Sequence, residues 1–149
     1  MPELPEVETI VRQLAPLLPG REVRRVVVSR PDLLDEAPDR FRAAVRGARI
    51  LGVTRRGKNI LFQLTGPQIL LVHLGMTGQL HLAASSRPGW VPPHRGVSLY
   101  LEPTATLHYA DVRRFGHLRR YTPEGWARVE ERLGPEPLEP AFTVETLQG

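Results

Sequence analysis

Apolar residues recur at helical spacing near the N-terminus: Val7, Val11, Leu14 and Leu18, with Leu4 and Ile10 widening the stripe. The spacing predicts a helix over Pro5–Leu18, with Pro5 in its first turn, Pro16 weakening its end and Gly20 stopping it. A second helix is predicted over Pro38–Arg46, with Phe41, Ala44 and Val45 facing inward and Gly47 as the stop. Elsewhere strand signals dominate. Eight short apolar segments follow: Arg21–Arg30, Arg49–Arg55, Ile60–Thr65, Gln68–Leu74, Gln79–Ala83, Val97–Glu102, Thr106–Ala110 and His117–Tyr121. Turn pairs such as Gly57-Lys58 and Gly66-Pro67 separate them. A third helix starts at the Thr122-Pro123-Glu124 cap and ends at Gly134-Pro135.

This cadence predicts a mainly β fold with flanking helices, an antiparallel sandwich of about eight strands. Residues 1–133 read as one domain, and 149 residues are short for two. Residues 134–149 begin with a proline-rich stretch of linker composition and continue into an element the chain starts without completing. No apolar run approaches the roughly 18 residues of a membrane span, and acids at Glu3, Glu6 and Glu8 occupy the place of a signal peptide's basic stretch. The absence of cysteine excludes disulfides, thiolate metal sites and cysteine nucleophiles within the chain. A cytoplasmic setting is therefore expected.

Charge divides the chain. Residues 1–121 carry 18 basic and 10 acidic side chains, a net of +8, whereas residues 122–149 carry 2 and 6, a net of −4. The basic section is where a polyanion could dock. Nineteen of the twenty basic residues are arginine, so Lys58 stands out as the one compact ammonium.

The candidate chemistry begins at the N-terminus. Loss of Met1 would expose Pro2, whose terminal amine would titrate near 7.7–8.0 and so be partly neutral near pH 7; a retained Met1 would block it. A neutral amine can attack an electrophilic carbon and form an iminium. Glu3 beside it and Glu6 one turn further on could move the protons such a reaction needs. The bland alternative is that proline and glutamate merely suit a helix start. His73 ends the apolar run Ile69-Leu70-Leu71-Val72, where core packing is the commoner role. Met76 lies in the turn Gly75-Met76-Thr77-Gly78, and Phe115 alternates with Arg113 before Gly116; both are poorly covered settings, although core packing competes for Phe115. His81, His94, His108 and His117 lack metal-ligand spacing and read as structural or surface residues.

Five blocks share an order and spacing with one family. Met1-Pro2-Glu3-Leu4-Pro5-Glu6-Val7-Glu8-Thr9 resembles the start of bacterial formamidopyrimidine-DNA glycosylase, also called MutM. Arg55-Arg56-Gly57-Lys58, His73-Leu74-Gly75-Met76-Thr77-Gly78, Asp111-Val112-Arg113-Arg114-Phe115-Gly116 and the junction Leu133-Gly134-Pro135-Glu136-Pro137-Leu138 agree with it. The resemblance implies removal of oxidised purines, 8-oxoguanine and formamidopyrimidines, from double-stranded DNA, followed by β,δ-elimination at the abasic site. Pro2 would be the nucleophile, Glu3 the acid, Glu6 a supporting carboxylate and Lys58 a catalytic-site residue contacting phosphates and lesion. His73 would contact phosphate, Met76 and Phe115 would fill the space left by a flipped base, Arg113 would face the estranged cytosine, and Arg114 would share in DNA contact. Val112 departs from the proline usual in that loop.

Whole members continue past the junction into a helix–two-turns–helix module and a four-cysteine zinc finger. Here residues 134–149 would supply only the linker and the truncated start of that module. The resemblance thus implies no cofactor in this chain, a structural zinc only in whole members, damaged duplex DNA as partner, a monomer, nucleoid association, and weak activity in isolation. Two rival readings remain: an endonuclease VIII-like enzyme for oxidised pyrimidines, and a non-catalytic nucleic-acid-binding β-domain.

Overall fold

A computed structural model describes residues 4–84 and 90–134. Pro2, Glu3 and the expected linker beyond Gly134 lie outside the described residues. Eight strands form two four-stranded antiparallel sheets: β1 (Val23–Val28), β6 (Arg95–Leu101), β7 (Ala105–Asp111) and β5 (Gly78–Ala84) in that order, and β2 (Ile50–Arg56), β3 (Asn59–Leu64), β4 (Gln68–His73) and β8 (His117–Tyr121) in the other. Helices α1 (Leu4–Leu14), α2 (Pro38–Val45) and α3 (Pro123–Leu133) flank them. Among the described residues no helix is long and apolar enough to cross a membrane.

Alternation along the strands builds the core. Ile60, Phe62 and Leu64 of β3 and Leu70 and Val72 of β4 face inward, where they meet Val97, Leu99, Leu107 and Tyr109 from the opposite sheet. The residues between them are apolar as well, because the outer face is also covered: Leu61 and Leu71 pack with Trp126 of α3 in a second cluster. That explains the unbroken apolar run before His73. Thr122 caps α3, its hydroxyl accepting from the Gly125 amide at 2.9 Å.

Element ends otherwise agree with the sequence expectation within about two residues, but two departures are larger. The first helix stops at Leu14, four residues early, and the chain passes through turns in which Leu18 remains fully buried. Pro16 lacks the amide that the next helical turn would need. Residues Pro31–Leu33, unassigned from sequence, form one turn of 3-10 helix that buries Leu33.

Strand ends on one side of the sandwich assemble the site. Register pairs Arg56 with Asn59, Asn59 with His73 and His73 with His117, giving one row across the second sheet. In the first sheet, Gly78 pairs with Asp111 at the same side of the fold.

Candidate functional site

Lys58 occupies the tight β2–β3 turn behind Gly57, whose φ is 62°. That turn is tied to α1 through Arg55. Its Nε donates to Glu8 Oε1 at 2.7 Å and its Nη1 donates to the Gly57 carbonyl at 3.0 Å. The adjacent Arg56 donates to the Gly134 carbonyl and pairs with Glu130 at 3.2 Å, so the end of α3 is anchored beside Lys58. Glu6 is exposed in the first turn of α1 and lines an open cleft of about 470 Å³ with Ile10, Leu74, Met76 and Thr77.

His73 is half-buried rather than part of the core. Its Nδ1 lies 3.0 Å from Asn59 Oδ1, and its ring stacks on His117 with centroids 5.0 Å apart. Burial lowers its pKa, and the nearby Lys58 charge lowers it further. His117 is lowered as well, by burial first and then by Arg119 and His73, against an opposing pull from Asp35. Both rings are therefore held neutral near pH 7.

Asp111 organises the next layer. It is 1% exposed, yet its carboxylate accepts five hydrogen bonds. Oδ1 receives the Thr77 hydroxyl at 2.6 Å, the Arg113 amide at 3.2 Å and the Arg114 amide at 3.0 Å. Oδ2 receives the Tyr109 hydroxyl at 2.8 Å and the Gly116 amide at 2.9 Å. Burial pushes this carboxyl up, but the hydrogen bonds outweigh it and the net shift is downward, so Asp111 is a carboxylate near neutrality. The Tyr109 hydroxyl is driven up by burial and by Asp111, and stays a donor. One carboxylate thus fixes the β7–β8 loop and links it to the turn carrying Met76.

These two segments touch through glycines. Gly75 has φ of 64°, and a Cβ there would fall 2.6 Å from the Gly116 nitrogen. A Cβ at Gly116 would overlap the Tyr109 hydroxyl and the His73 carbonyl. On this support the loop residues project outward. Met76 is 47% exposed and Phe115 55% exposed, which rules out core packing for Phe115. The Arg113 guanidinium lies 5.1 Å from the Phe115 ring centroid. Arg114 turns aside at φ 60° to within 3.7 Å of Asp32, and Val112 is exposed at the loop's start.

Glu6 and Met76 therefore share a cleft, Lys58 and His73 share the end of one sheet, and Arg113 and Phe115 share the loop linked to Met76. Pro2 and Glu3 are outside the described residues. Sequence reasoning gave no role to Asp111, Thr77 or Asn59, and read His117 only as a structural or surface residue. Asp111 lay within a family-like motif, but only tertiary structure reveals its five donors. The bland reading fits the other histidines: His108 is buried against Ser98 at 2.6 Å, His81 pairs with Gln79, and His94 is exposed beside Arg30.

Metal chemistry finds no support in these side chains. The chain has no cysteine, and among the described residues no group of three or more His, Asp or Glu is placed to hold a metal. A four-cysteine zinc site does not fit them.

Comparison with known proteins agrees with this geometry. Residues 1–118 match the family described as "Formamidopyrimidine-DNA glycosylase N-terminal domain". The formamidopyrimidine-DNA glycosylase of Symbiobacterium thermophilum is 43% identical over 99% of this chain and 48% of the relative. That of Acidiphilium cryptum is 41% identical over 99% of this chain and 52% of the relative. The Lactococcus lactis Fpg bound to DNA with an abasic site superimposes with a TM-score of 0.81 at 27% identity, covering 88% of this chain and 48% of that one. The same protein bound to DNA containing Fapy-dG gives 0.80 at 28% identity, covering 87% and 48%. The chain spans about half the length of the curated relatives it matches. It belongs to the formamidopyrimidine-DNA glycosylase family, through the N-terminal domain that its residues 1–118 match.

Proposed function

We propose that this chain is the catalytic domain of a base-excision DNA glycosylase with abasic-site lyase activity, acting on oxidised purines in duplex DNA. The observation that carries the reading is the pair of exposed apolar side chains, Met76 and Phe115, on segments braced by a single buried carboxylate. Exposing a phenylalanine and a methionine is costly in a free domain, and useful where a flipped nucleotide leaves a gap to fill. Lys58 and His73 supply phosphate contacts, Arg113 a directed donor for the orphaned base, and Arg114 a further cation at the DNA surface.

The chemistry falls to the residues before α1. The free Pro2 amine attacks the sugar C1′, the base leaves with the glycosidic electron pair, and Glu3 supplies the proton that opens the sugar ring. Glu6, in the first turn of α1, is the supporting carboxylate of this site. Loss of the neighbouring C–H proton then expels the flanking phosphates in turn. Residues 1–133 form this catalytic unit, and residues 134–149 lead toward further DNA-gripping domains of the whole protein. The anchoring of Gly134 by Arg56 supports that reading, because it lets the chain leave the domain beside the Lys58 turn.

Borohydride trapping on abasic duplex DNA, with protein in excess, tests the proposal. A chain with Pro2 exposed should form a covalent adduct and Pro2→Gly should form it far more slowly, while on duplex that still carries the lesion Glu3→Gln should suppress base release and keep much of the lesion binding. Absence of any adduct, or equal rates for parent and Pro2→Gly, overturns the assignment. A lesion panel decides substrate: faster release of oxidised pyrimidines than purines would favour the endonuclease VIII-like alternative.

A further inference from the structure

At the opposite pole of the sandwich, arginines from two separate elements converge on one open groove. Arg24, Arg25 and Tyr100 enter it from the paired strands β1 and β6, and Arg42 and Arg46 from α2 and its C-cap. Its volume is about 800 Å³, far more than one phosphate group fills. We propose that this groove binds the phosphodiester backbone of nucleic acid outside the lesion-reading end.

The arrangement argues against two simpler accounts. β1 is an edge strand, and charges on an edge deter strand pairing between molecules. That accounts for Arg24 and Arg25 but not for Arg42 and Arg46, which a helix brings to the same place. Composition bias accounts for arginine over lysine but not for convergence. Nor are these cations neutralised. Arg24 meets Glu102 at 3.4 Å and Arg42 meets Asp39, but Glu102 is 46% exposed and Asp39 92% exposed. Ion pairs this exposed contribute little and exchange readily for phosphate. Arg46 is exposed and has no side-chain partner among the described residues. Arg25 lies 5.5 Å over the ring centroid of Tyr100, another residue of the groove lining. Four planar guanidiniums in one channel suit repeated bidentate contact with phosphate oxygens.

Position separates this groove from the candidate site. Tyr100 pairs with Thr106, and Asp111 lies five residues further along β7. At about 3.3 Å per residue the two are roughly 16 Å apart, beyond one arginine's reach but about five nucleotides along a strand. A duplex held at the lesion-reading end and continuing across the sheet edge would meet the groove.

The test uses undamaged duplexes, one just covering the lesion-reading end and one extended by about a helical turn (~10 bp) on each side. Arg25→Gln with Arg46→Gln should lower the slope of log affinity against log salt on the extended duplex by about 2, since each phosphate left without its cation removes about 0.9. The slope on the short duplex should not change. Arg128→Gln with Arg132→Gln removes the same charge elsewhere and should leave both slopes alone. An unchanged slope on the extended duplex overturns the proposal. So does an equal loss on both duplexes, or a groove that saturates with inorganic phosphate while the DNA slopes stay the same. The ligand class rests on the DNA reading above, but the readout needs no lesion and no adduct. Failure of trapping and failure of the groove are therefore separate results.

Discussion

The Asp111 carboxylate and the Gly116 amide, five residues apart, are joined by a 2.9 Å hydrogen bond that closes the loop carrying Arg113 and Phe115. Oδ1 of the same carboxylate holds the Arg113 and Arg114 amides inside that closure, and the Thr77 hydroxyl ties it to the Met76 turn. A buried carboxylate is costly without partners, and five donors offset that cost while fixing five separate positions.

Asp111→Asn replaces one accepting oxygen with an amide donor, so at least two of the five donors lose their partner. We expect a loss of roughly 1–3 kcal/mol for each buried donor left unpaired, read by denaturant unfolding at neutral pH. The folded pKa of Asp111 is lowered, so its contribution is complete above the unfolded value of about 3.9 and fades as pH falls through the folded value below that. The variant should lack this acid limb. Equal stability of variant and parent across pH would contradict the role given to Asp111.

Phe115→Ala and Met76→Ala should cost the free domain little, because both side chains are about half exposed. Phe62→Ala, at a site 1% exposed, should cost the ~3–5 kcal/mol of an emptied phenylalanine site. In contrast, lesion cleavage should collapse in the two loop variants. Thermal unfolding and single-turnover cleavage check the pair, and a destabilised Phe115→Ala would return that residue to a packing role.

Gly75→Ala places a methyl 2.6 Å from the Gly116 nitrogen at a φ that favours glycine. Overpacking of this kind costs about 1–3 kcal/mol. The damage should be greater for lesion processing than for undamaged-DNA binding, because the change forces apart the two segments bearing Met76 and Phe115. Equal loss in both assays would show that their spacing is irrelevant.

Arg113→Ala should leave non-specific phosphate binding largely intact and erode the preference for cytosine opposite the lesion, which depends on a directed donor to a base edge. Cleavage of lesions paired with each of the four bases measures it. An unchanged order of preference removes Arg113 from base reading.

His73 yields two pH effects of opposite sign. Its folded pKa is lowered below about 6.5 by burial and by Lys58, so the unfolded chain takes up the proton first. Stability is complete above pH 6.5 and declines below it. A bound phosphate would raise the same pKa, so DNA affinity should increase as pH falls into that window. His73→Gln should flatten both curves. The lowered pKa of the stacked His117 leaves a residual stability slope, opposed by Asp35. If DNA affinity follows the same pH dependence in parent and variant, His73 does not contact phosphate.

Local pattern determined the elements, because it depends on near neighbours. The apolar run of β3, the Thr122 cap and the Gly57 turn each express a preference of a few consecutive residues, and each appears where the sequence pattern put it. The motifs that resemble the family were legible for the same reason, as contiguous blocks. The Gly-flanked settings of Met76 and Phe115 were equally visible and pointed to poor cover, but they left core packing open for Phe115. Whether a phenylalanine is buried depends on what the rest of the chain lays over it, and Phe115 stays more than half exposed. Asp111 shows the limit most clearly. Its five donors come from Thr77, Tyr109, Arg113, Arg114 and Gly116, and the Thr77 link spans 34 residues. The groove of Arg24, Arg25, Arg42 and Arg46 likewise exists only because α2 packs beside β1. Hydrogen bonds and fields act through space, so the partners they select were decided by the packed sheets rather than by the order of residues.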